Sequence, residues 1–262
     1  MTRDHLSHPS LLGTVSLVTD SSRGIGRAII RKLAAAGSDV CISYLNSPRE
    51  ARELAEEVVG MDRRAIVVKA DVANPDDIHA MCRIVGEEYG KLDIVVSNAA
   101  GGGFRPLLEA SAEQLVRSFQ VNVAALLGLA HAAVPLLRKT SLPRGKLITL
   151  SSLGGTRALP SYGLVGAAKG ALESMTRQLA LELGPLGVNV NCVCGGLVNT
   201  GALASMPDRD ARLQSRRKRS LIGERDLVAD DLANVVLALA GPLLDAMQGQ
   251  TLVVDGGISI QV

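Results

Sequence analysis

The chain has 262 residues, of which 47% are hydrophobic and 21% are charged, and its formal net charge is +2 at pH 7. Such a nearly neutral chain lacks the broad positive field of a nucleic-acid-binding protein, and no stretch reaches the roughly 18 uninterrupted apolar residues of a membrane span. The length suits one α/β domain, residues 1–262, and the scarcity of aromatic residues (three Tyr, two Phe) leaves its core to Ala, Val, Leu and Ile.

Short apolar runs alternate along the chain with longer segments of helical periodicity. This alternation predicts βαβ units, because parallel strands are joined by crossover helices. The predicted strands are residues 14–19, 39–44, 65–70, 92–97, 146–151, 189–194 and 251–255. The predicted helices begin near Arg23, Pro48, Pro75, Ala112, Tyr162 and Ala229. We therefore expect a doubly wound α/β fold, a seven-stranded parallel sheet flanked by helices, with ligands at the carboxyl ends of its strands.

The first predicted strand runs into the turn DSSRGIG at residues 20–26, which opens a helix. A helix start presents free N–H groups and a positive dipole end, both suited to a pyrophosphate, and Gly24 and Gly26 allow close approach. Asp20 stands where dinucleotide-binding turns usually carry their first glycine. Its carboxylate would repel phosphates, cap the helix or bind a ribose hydroxyl, so we expect weakened cofactor binding. The candidate cofactor-binding residues here are Asp20, Ser22, Arg23, Gly24, Ile25 and Gly26.

The segment after the second predicted strand bears on the choice between NAD and NADP. An acidic residue there would bind the ribose 2′-hydroxyl, but SYLNSPR at residues 43–49 contains none. The guanidinium groups of Arg23 and Arg49 are suited to a 2′-phosphate. We therefore expect NADPH as the cofactor. The alternative is that Asp20 marks a protein that has lost its cofactor.

The cysteines and histidines do not predict a metal site. The four cysteines have neither the number nor the spacing of a zinc site, and the four histidines are scattered. We expect reduced, buried thiols and no metal. These residues are Cys41, Cys82, Cys192, Cys194, His5, His8, His79 and His131. The amino-terminal residues lack the apolar stretch of a signal peptide, which favours a cytoplasmic location.

A series of motifs along the chain resembles the short-chain dehydrogenase/reductase family. They are DSSRGIG, ADV at 70–72, SNAAGG at 97–102, VN at 121–122, LSSLGG at 150–155, a Tyr and a Lys on one helix, GGLVNT at 195–200 and GQTLVVDGG at 249–257. The resemblance implies a Rossmann fold in which Asp71 and Val72 bracket the adenine, Asn98 steadies the cofactor-side strand and the 198–200 loop holds the carboxamide. The cofactor-binding residues implied are Asp71, Val72, Asn98, Ala99, Lys169, Gly195, Val198 and Thr200.

The same resemblance implies the catalytic residues. Asn122, Ser152 and Lys169 fit the family pattern directly, but Val165 occupies the usual tyrosine position, four residues before Lys169. The available tyrosine is Tyr162, seven residues before Lys169. Seven helical residues rotate by about 700°, only ~20° short of two turns, so Tyr162 and Lys169 are expected on one helix face.

This longer Tyr–Lys spacing is similar to that of the type III, NADPH-dependent enoyl-acyl-carrier-protein reductases. Asn46 departs from their pattern, which often has a basic residue after strand two. The resemblance implies that Asn122 anchors a water near Lys169, and that Lys169 holds the nicotinamide ribose. We expect Tyr162 to donate a proton, with the Lys169 ammonium lowering the pKa of its phenol. The alternatives to catalytic roles are that Tyr162 only packs against its neighbours and that Lys169 is a charged residue on the helix surface.

Three functions remain open on the sequence. The first is reduction of an enoyl thioester, since a donor displaced by about a turn suits an oxygen two carbons beyond the hydride acceptor. The second is a tailoring reductase that acts on a ketone, imine or hemiaminal. The third is a non-catalytic cofactor-sensing or interaction protein.

Two further segments predict interactions with other molecules. Residues 201–224 are expected to cover the substrate as a lid, and their basic run at 216–219 could meet an acidic carrier protein or lie on a solvated helix face. The family usually forms dimers or tetramers through the segments that correspond here to residues 162–183 and 251–255. We therefore expect a homodimer or homotetramer and a small-molecule or carrier-bound substrate.

Overall fold

The computed structural model describes residues 10–261, and its centre is one seven-stranded parallel sheet. The strands lie in the order β3-β2-β1-β4-β5-β6-β7, and every neighbouring pair is parallel. Their bounds are β1 Val15–Val18, β2 Asp39–Tyr44, β3 Ala65–Lys69, β4 Ile94–Ser97, β5 Gly145–Ser152, β6 Val188–Gly195 and β7 Thr251–Val254. The predicted doubly wound α/β fold is confirmed.

Helices cover both faces of the sheet. The bounds are α1 Gly24–Ala35, α2 Pro48–Val59, α3 Pro75–Tyr89, α4 Ala112–Phe119, α5 Ala125–Leu137, α6 Gly163–Leu183, α7 Arg209–Arg219 and α8 Ala229–Ala240. Helices α1, α2 and α8 pack on one face, and α3, α5 and α6 on the other. Successive strand residues point to opposite faces, so Leu17 and Val18 are both buried but in different cores. This double burial explains the nearly continuous apolar runs in the strands.

Two helical features differ from the sequence prediction. The segment predicted as a lid contains helix α7. Helix α4 continues into α5 through a π-helical turn, Gln120–Ala124, which inserts an extra residue into the helical repeat. Among the described residues the combined run Ala112–Leu137 is long and apolar enough for a membrane span, but core helices pass the same test. Here its buried residues, Leu126 and Leu129 among them, pack on the sheet.

Asp93, directly before β4, is a buried carboxylate that joins three segments. It accepts hydrogen bonds from the backbone N–H of Val15 (2.8 Å), the hydroxyl of Thr140 (2.6 Å) and the backbone N–H of Ser141 (2.5 Å), and Lys91 Nζ lies 3.0 Å away. Burial would raise the pKa of Asp93, but these hydrogen bonds lower it further than burial raises it. The ionised carboxylate therefore stabilises the fold.

Substitution Asp93→Asn should lower the free energy of unfolding by about 3 kcal/mol at pH 7, because an amide places a donor against groups that donate to the carboxylate. Since the folded-state pKa is depressed, this contribution is present above the unfolded pKa of about 3.9 and is lost as pH falls through the lower folded pKa. Urea titrations at pH 7 and pH 3 measure both effects. Asp210→Asn, at a side chain that is 93% exposed, is the matched control and should change stability by less than about 0.5 kcal/mol. An equally small loss for Asp93→Asn would contradict the assignment.

Candidate active site

A cleft opens at the carboxyl ends of β1 and β4, where the strand order reverses. Doubly wound sheets bind ligands at this point because the following loops diverge to opposite faces. The cleft consists of a cavity of about 450 Å³ and a smaller one of about 270 Å³, and Asp20, Arg23, Gly101 and Gly102 line both. One elongated ligand can therefore occupy both cavities along the edge of the sheet.

The turn after β1 is tied to the end of β4. Asn98 Nδ2 donates to the carbonyl oxygens of Thr19 (2.9 Å) and Asp20 (3.0 Å). The backbone N–H of Ala99 donates to Thr19 Oγ1 at 3.0 Å. Asn98 and Ala99 therefore hold the turn after β1 in place, and the role of Asn98 in cofactor binding stays a prediction.

Asp20 adopts the left-handed backbone conformation, with φ of +48°. Glycine adopts this conformation without strain, and aspartate is among the other residues that tolerate it. The turn thus keeps the shape of a glycine-containing turn, while a carboxylate is added to the cleft. Burial raises the pKa of Asp20, and the nearby Arg23 guanidinium partly opposes the shift.

The start of α1 fits a phosphate group. A Cβ added to Gly26 would lie 2.6 Å from the carbonyl oxygen of Asp20 and 2.7 Å from Asn98 Nδ2, so only glycine permits this close turn. Helix α1 has no acidic residue in its first turn and no side-chain cap from Arg23, so its N–H groups stay available. The buried Ser22 Oγ has no hydrogen-bond partner among the described residues. Gly24 and Ile25 line the larger cavity.

The smaller cavity contains the residues expected at the adenosine end. Asp71, Val72 and Asn46 line it. The Asp71 carboxylate accepts from the backbone N–H of Ala73 at 2.9 Å and from Arg117 Nη2 at 3.2 Å. Arg49, one of the two arginines expected near a 2′-phosphate, is 81% exposed and pairs with Glu53 on α2 instead of lining the cavity.

Tyr162 lines the larger cavity and lies directly before α6. Its hydroxyl lies 3.1 Å from Ser152 Oγ. The Phe104 ring packs against the Tyr162 ring with a centroid distance of 5.8 Å. Because α6 begins at Gly163, Tyr162 has non-helical dihedrals (φ −114°, ψ 7°), and the prediction that it occupies a helix face with Lys169 is wrong in this detail. The contact with Ser152 orients the phenol instead.

Lys169 is buried, with 4% of its surface exposed, and Nζ donates to the carbonyl oxygen of Leu150 at 2.7 Å. Burial lowers the pKa of Lys169 to about 8. Burial also raises the pKa of Tyr162, with partial opposition from the Ser152 hydrogen bond. The expected lowering of the Tyr162 pKa by Lys169 is therefore absent in this structure, where desolvation of the phenol dominates.

Asn122 lies in the π-helical turn between α4 and α5. Its Nδ2 donates to the carbonyl oxygens of Gly101 (2.7 Å) and Ser118 (2.8 Å). Its buried Oδ1 has no partner among residues 10–261 and is free to accept. The π-helical turn thus leaves the amide oxygen of Asn122 available to accept a hydrogen bond, and its role as a water anchor stays a prediction.

The loop after β6 contributes to the cleft through one of its three predicted residues. Thr200 lines the larger cavity beside Gly24, whereas Val198 is buried and forms an isolated parallel bridge with Leu227. Gly195 ends β6, and a Cβ there would lie 2.6 Å from the Leu232 side chain. Packing against α8 therefore accounts for Gly195.

The predicted lid lies beside the cleft through its first residues. Gly201, Ala202 and Ser205 line the larger cavity. The basic run is less available to a partner than expected, because Arg216 is buried and Arg217 forms two 2.5 Å hydrogen bonds with Asp226. Lys218 and Arg219 remain exposed.

Sequence reasoning did not name Phe104, and it named Val165 only as the residue at the usual tyrosine position. Phe104 packs on Tyr162, and Val165 lines the cavity wall against Gly102, where an added Cβ would lie 2.6 Å from Val165 Cγ2. The run GGGF at residues 101–104, shortly after the predicted fourth strand, was an available signal, since phenylalanine is rare in this chain. In the described part of the chain no three His, Cys, Asp or Glu side chains form a metal-binding cluster, and all four cysteines are free and buried. His5 and His8 lie outside the described residues.

Comparison with known proteins supports the assignment made from the cleft. A family described as enoyl-(acyl carrier protein) reductase matches residues 20–259. The chain is 34% identical to 1-cyclohexenylcarbonyl-CoA reductase of Streptomyces collinus over 255 residues, covering 94% of this chain and 87% of that protein. It is 31% identical to hydroxynaphthalene reductase arp2 of Aspergillus fumigatus over 250 residues, covering 92% and 90%.

A solved structure shares the fold throughout. The short-chain dehydrogenase of Burkholderia cenocepacia in complex with NADP superposes with a TM-score of 0.85 at 33% identity, covering 95% of this chain and 99% of that one. The seven-stranded parallel sheet of this chain agrees with this likeness. The chain therefore belongs to the short-chain dehydrogenase/reductase family and is an oxidoreductase that uses a nicotinamide cofactor.

Proposed function

We propose that the protein reduces the polarised C=C bond of an enoyl thioester with NADPH. The observation that carries this proposal is the placement of Tyr162 beside Ser152, combined with Val165 at the usual tyrosine position of the family. NADPH, when bound, supplies a hydride to the electron-poor carbon. The protein must then stabilise the negative charge that develops on the substrate oxygen and supply a proton.

Tyr162 is the proton donor in this proposal. Its raised pKa keeps the phenol neutral at physiological pH, so the proton is available for donation. Ser152, 3.1 Å from the phenol oxygen, orients the hydroxyl and shares the developing charge. Lys169 lies behind the site as a cation that holds the nicotinamide ribose, and the free Oδ1 of Asn122 positions a water for proton resupply.

The apolar Val165 favours conjugate reduction over direct carbonyl reduction. In an enoyl thioester the oxygen lies two carbons beyond the carbon that accepts hydride, so the donor must be displaced relative to a ketone reductase. Tyr162 provides that displaced donor, while Val165 and the Gly102 backbone form a wall without a donor side chain.

The test follows NADPH oxidation with crotonyl-CoA, a simple ketone and a cyclic imine at equal concentrations. Turnover of crotonyl-CoA at least about tenfold faster than of the ketone or imine supports enoyl reduction. Absence of enoyl turnover together with ketone or imine reduction would replace the proposal with a carbonyl or imine reductase. Binding of NADH with no binding of NADPH would overturn the choice of cofactor.

One observation favours the second candidate function, a tailoring reductase that acts on a ketone, imine or hemiaminal, here of a cyclic substrate. Phe104 and Tyr162 form a tilted aromatic pair in the larger cavity, and a planar ring can pack against it. The two relatives named above act, by their names, on cyclohexenylcarbonyl and hydroxynaphthalene compounds. Cyclohexanone and 1-cyclohexenylcarbonyl-CoA extend the assay: preference for the thioester supports the first candidate, and reduction of the cyclic ketone alone supports the second.

The preference for NADPH rests on the smaller cavity. Arg23 and Asn46 line it beside the end of β2, where no acidic side chain follows the strand. Arg23 is therefore the guanidinium that binds the 2′-phosphate. Fluorescence titration should give NADPH a Kd at least about tenfold below that of NADH, a difference of ~1.4 kcal/mol.

Removal of the Asp20 carboxylate should tighten NADPH binding. Asp20→Gly keeps a residue suited to the left-handed conformation and removes a negative charge from the phosphate turn, so the Kd should fall about three- to tenfold. Asp20→Asn keeps the side-chain size and should give a similar gain, which separates charge from bulk. Weaker binding in both variants would show that the carboxylate is itself a ligand for the cofactor.

We also propose a homo-oligomer and a cytoplasmic location. Leu181 on α6 and Val253 on β7 are 71% and 53% exposed, so each segment named for assembly has an apolar residue at its surface. More than half of the residues of α6 are buried within the chain's own fold, so the proposed interface on that helix uses its other residues. Gel filtration with light scattering should give a dimer or tetramer.

Lys218 and Arg219 are the exposed cations available to an acidic carrier protein.

A further inference from the structure

Three consecutive residues at the end of β5 are each connected to a different side chain of the catalytic region. The Leu150 carbonyl accepts from Lys169 Nζ at 2.7 Å, Ser151 Oγ donates to Glu173 Oε1 at 2.5 Å, and Ser152 Oγ lies 3.1 Å from Tyr162 Oη. The first and third contacts belong to the proposed mechanism. The middle one joins a buried carboxylate to the same strand end.

Glu173 is closely enclosed, with 6% of its surface exposed. It follows Lys169 by four residues on α6, so the two side chains lie on one helix face about one turn apart. A Cβ added to Gly155 would lie 3.0 Å from Glu173 Oε1, so the loop after β5 covers the carboxylate tightly. A carboxylate is rarely buried in this way without compensating hydrogen bonds and a nearby cation.

We infer that Glu173 is a positioning residue: held by Ser151, its carboxylate is the buried countercharge that keeps Lys169 cationic and aligned with the end of β5. The catalytic consequence of this inference rests on the proposed function. The effect of the Glu173 charge on Lys169 concerns only the protein's own side chains, and it does not depend on the substrate. Glu173 contacts neither of the reacting groups, and it acts through Lys169 and Ser151.

The other titratable groups that face Lys169 do not supply this negative charge. Cys192 and Cys194 on β6 are buried, and burial raises the pKa of these thiols to about 11 and about 12. Both thiols are therefore neutral near the pH at which Lys169 titrates, whereas the Glu173 carboxylate opposes the burial that lowers the pKa of Lys169 to about 8.

The direct test is the ionisation of Lys169 in the cofactor-free protein. NMR of protein labelled with ¹³Cε-lysine, with the Lys169 signal assigned through Lys169→Arg, would be followed from pH 6 to pH 10.5. The wild-type midpoint should lie near pH 8, and Glu173→Gln should move it down by at least about half a unit because the opposing charge is lost. Glu182→Gln, an exposed glutamate on the same helix, is the matched control and should leave the midpoint unchanged.

Two further variants separate positioning from a merely structural role. Glu173→Asp keeps the charge and should keep the midpoint closer to the wild-type value than Glu173→Gln does. Ser151→Ala removes the hydrogen bond that holds the Glu173 carboxylate, and it should also lower the Lys169 midpoint. This variant serves as the test if Glu173→Gln does not fold. A folded Glu173→Gln with the wild-type midpoint, or a Ser151→Ala with that midpoint where Glu173→Gln is unfolded, would overturn the inference.

The same variants have a functional readout. The pH above which NADPH affinity and kcat/KM decline should shift downward in Glu173→Gln by the same amount as the Lys169 midpoint, since Lys169 must be protonated to hold the ribose. A shifted midpoint in a protein that binds no NADPH would support the countercharge while refuting the proposed function. An unshifted Lys169 midpoint in a Glu173→Gln protein that is an active reductase would support the proposed function while refuting the countercharge.

Discussion

Tyr162→Phe is expected to lower kcat/KM for the preferred substrate by about 10³-fold, equivalent to ~4 kcal/mol, while NADPH binds with nearly unchanged affinity. The substitution removes only the hydroxyl that lies 3.1 Å from Ser152 Oγ, and the ring can keep its contact with Phe104. Loss of the proton donor therefore raises the free energy of the transition state, while the residues that line the cofactor cleft stay in place. Steady-state kinetics and fluorescence titration of NADPH measure the two quantities separately.

Tyr89→Phe is the matched control for this experiment. Tyr89 lies at the end of α3, and its hydroxyl is 3.4 Å from the Val40 carbonyl oxygen, away from the cleft residues. Its turnover should stay within about twofold of wild type. Unchanged turnover in Tyr162→Phe would refute the assignment of the proton donor, and an equal loss in both variants would indicate a general effect of losing a phenol.

Gly26→Ala is expected to weaken NADPH binding by about 100-fold or more, equivalent to ~2.7 kcal/mol. The new Cβ would lie 2.6 Å from the Asp20 carbonyl oxygen, a backbone atom that moves only if the whole turn moves. Such a shift also separates Asn98 Nδ2 from the two carbonyls that it binds, and it displaces the N–H groups at the start of α1. Titration of NADPH fluorescence gives the affinity, and thermal unfolding shows whether the variant is folded.

Gly201→Ala is the corresponding control, because Gly201 lines the larger cavity of the cleft but an added Cβ meets no atom within 4 Å. We expect its NADPH affinity to remain within about threefold of wild type. Tight binding by a folded Gly26→Ala would show that the turn can relax, and that its close packing is not required for the cofactor.

The strands and the main helices could be predicted because each carries a local signal. Strand residues such as Leu17 and Val18 are apolar in succession because both sheet faces are covered, and helices such as α3 begin at a proline that follows a polar cap. Helix α7 was missed because its segment is strongly polar and offers little apolar periodicity. Its few buried residues, Leu213 and Arg216, acquire their surroundings only in the folded chain.

The sequence named the residues of the candidate site more completely than it predicted how they are arranged in space. Asn122, Ser152, Tyr162 and Lys169 were named from motifs, but the helical angle between Tyr162 and Lys169 could not show that Tyr162 precedes the helix. The angle assumes helical dihedrals, and these end where the helix does. Ser152, contributed by β5, orients the phenol in place of the helix.

The sequence by itself indicated the strands, most of the helices, the phosphate turn and the candidate catalytic residues, because periodicity and short motifs are local properties of a chain. The tertiary structure alone decided which groups meet: Glu173 with Ser151, Phe104 with Tyr162, and Arg217 with Asp226. It also decided the ionisation of the site, since the pKa of Lys169 depends on burial by distant segments. Contacts and desolvation between residues far apart in the chain exist only once the sheet has brought them together.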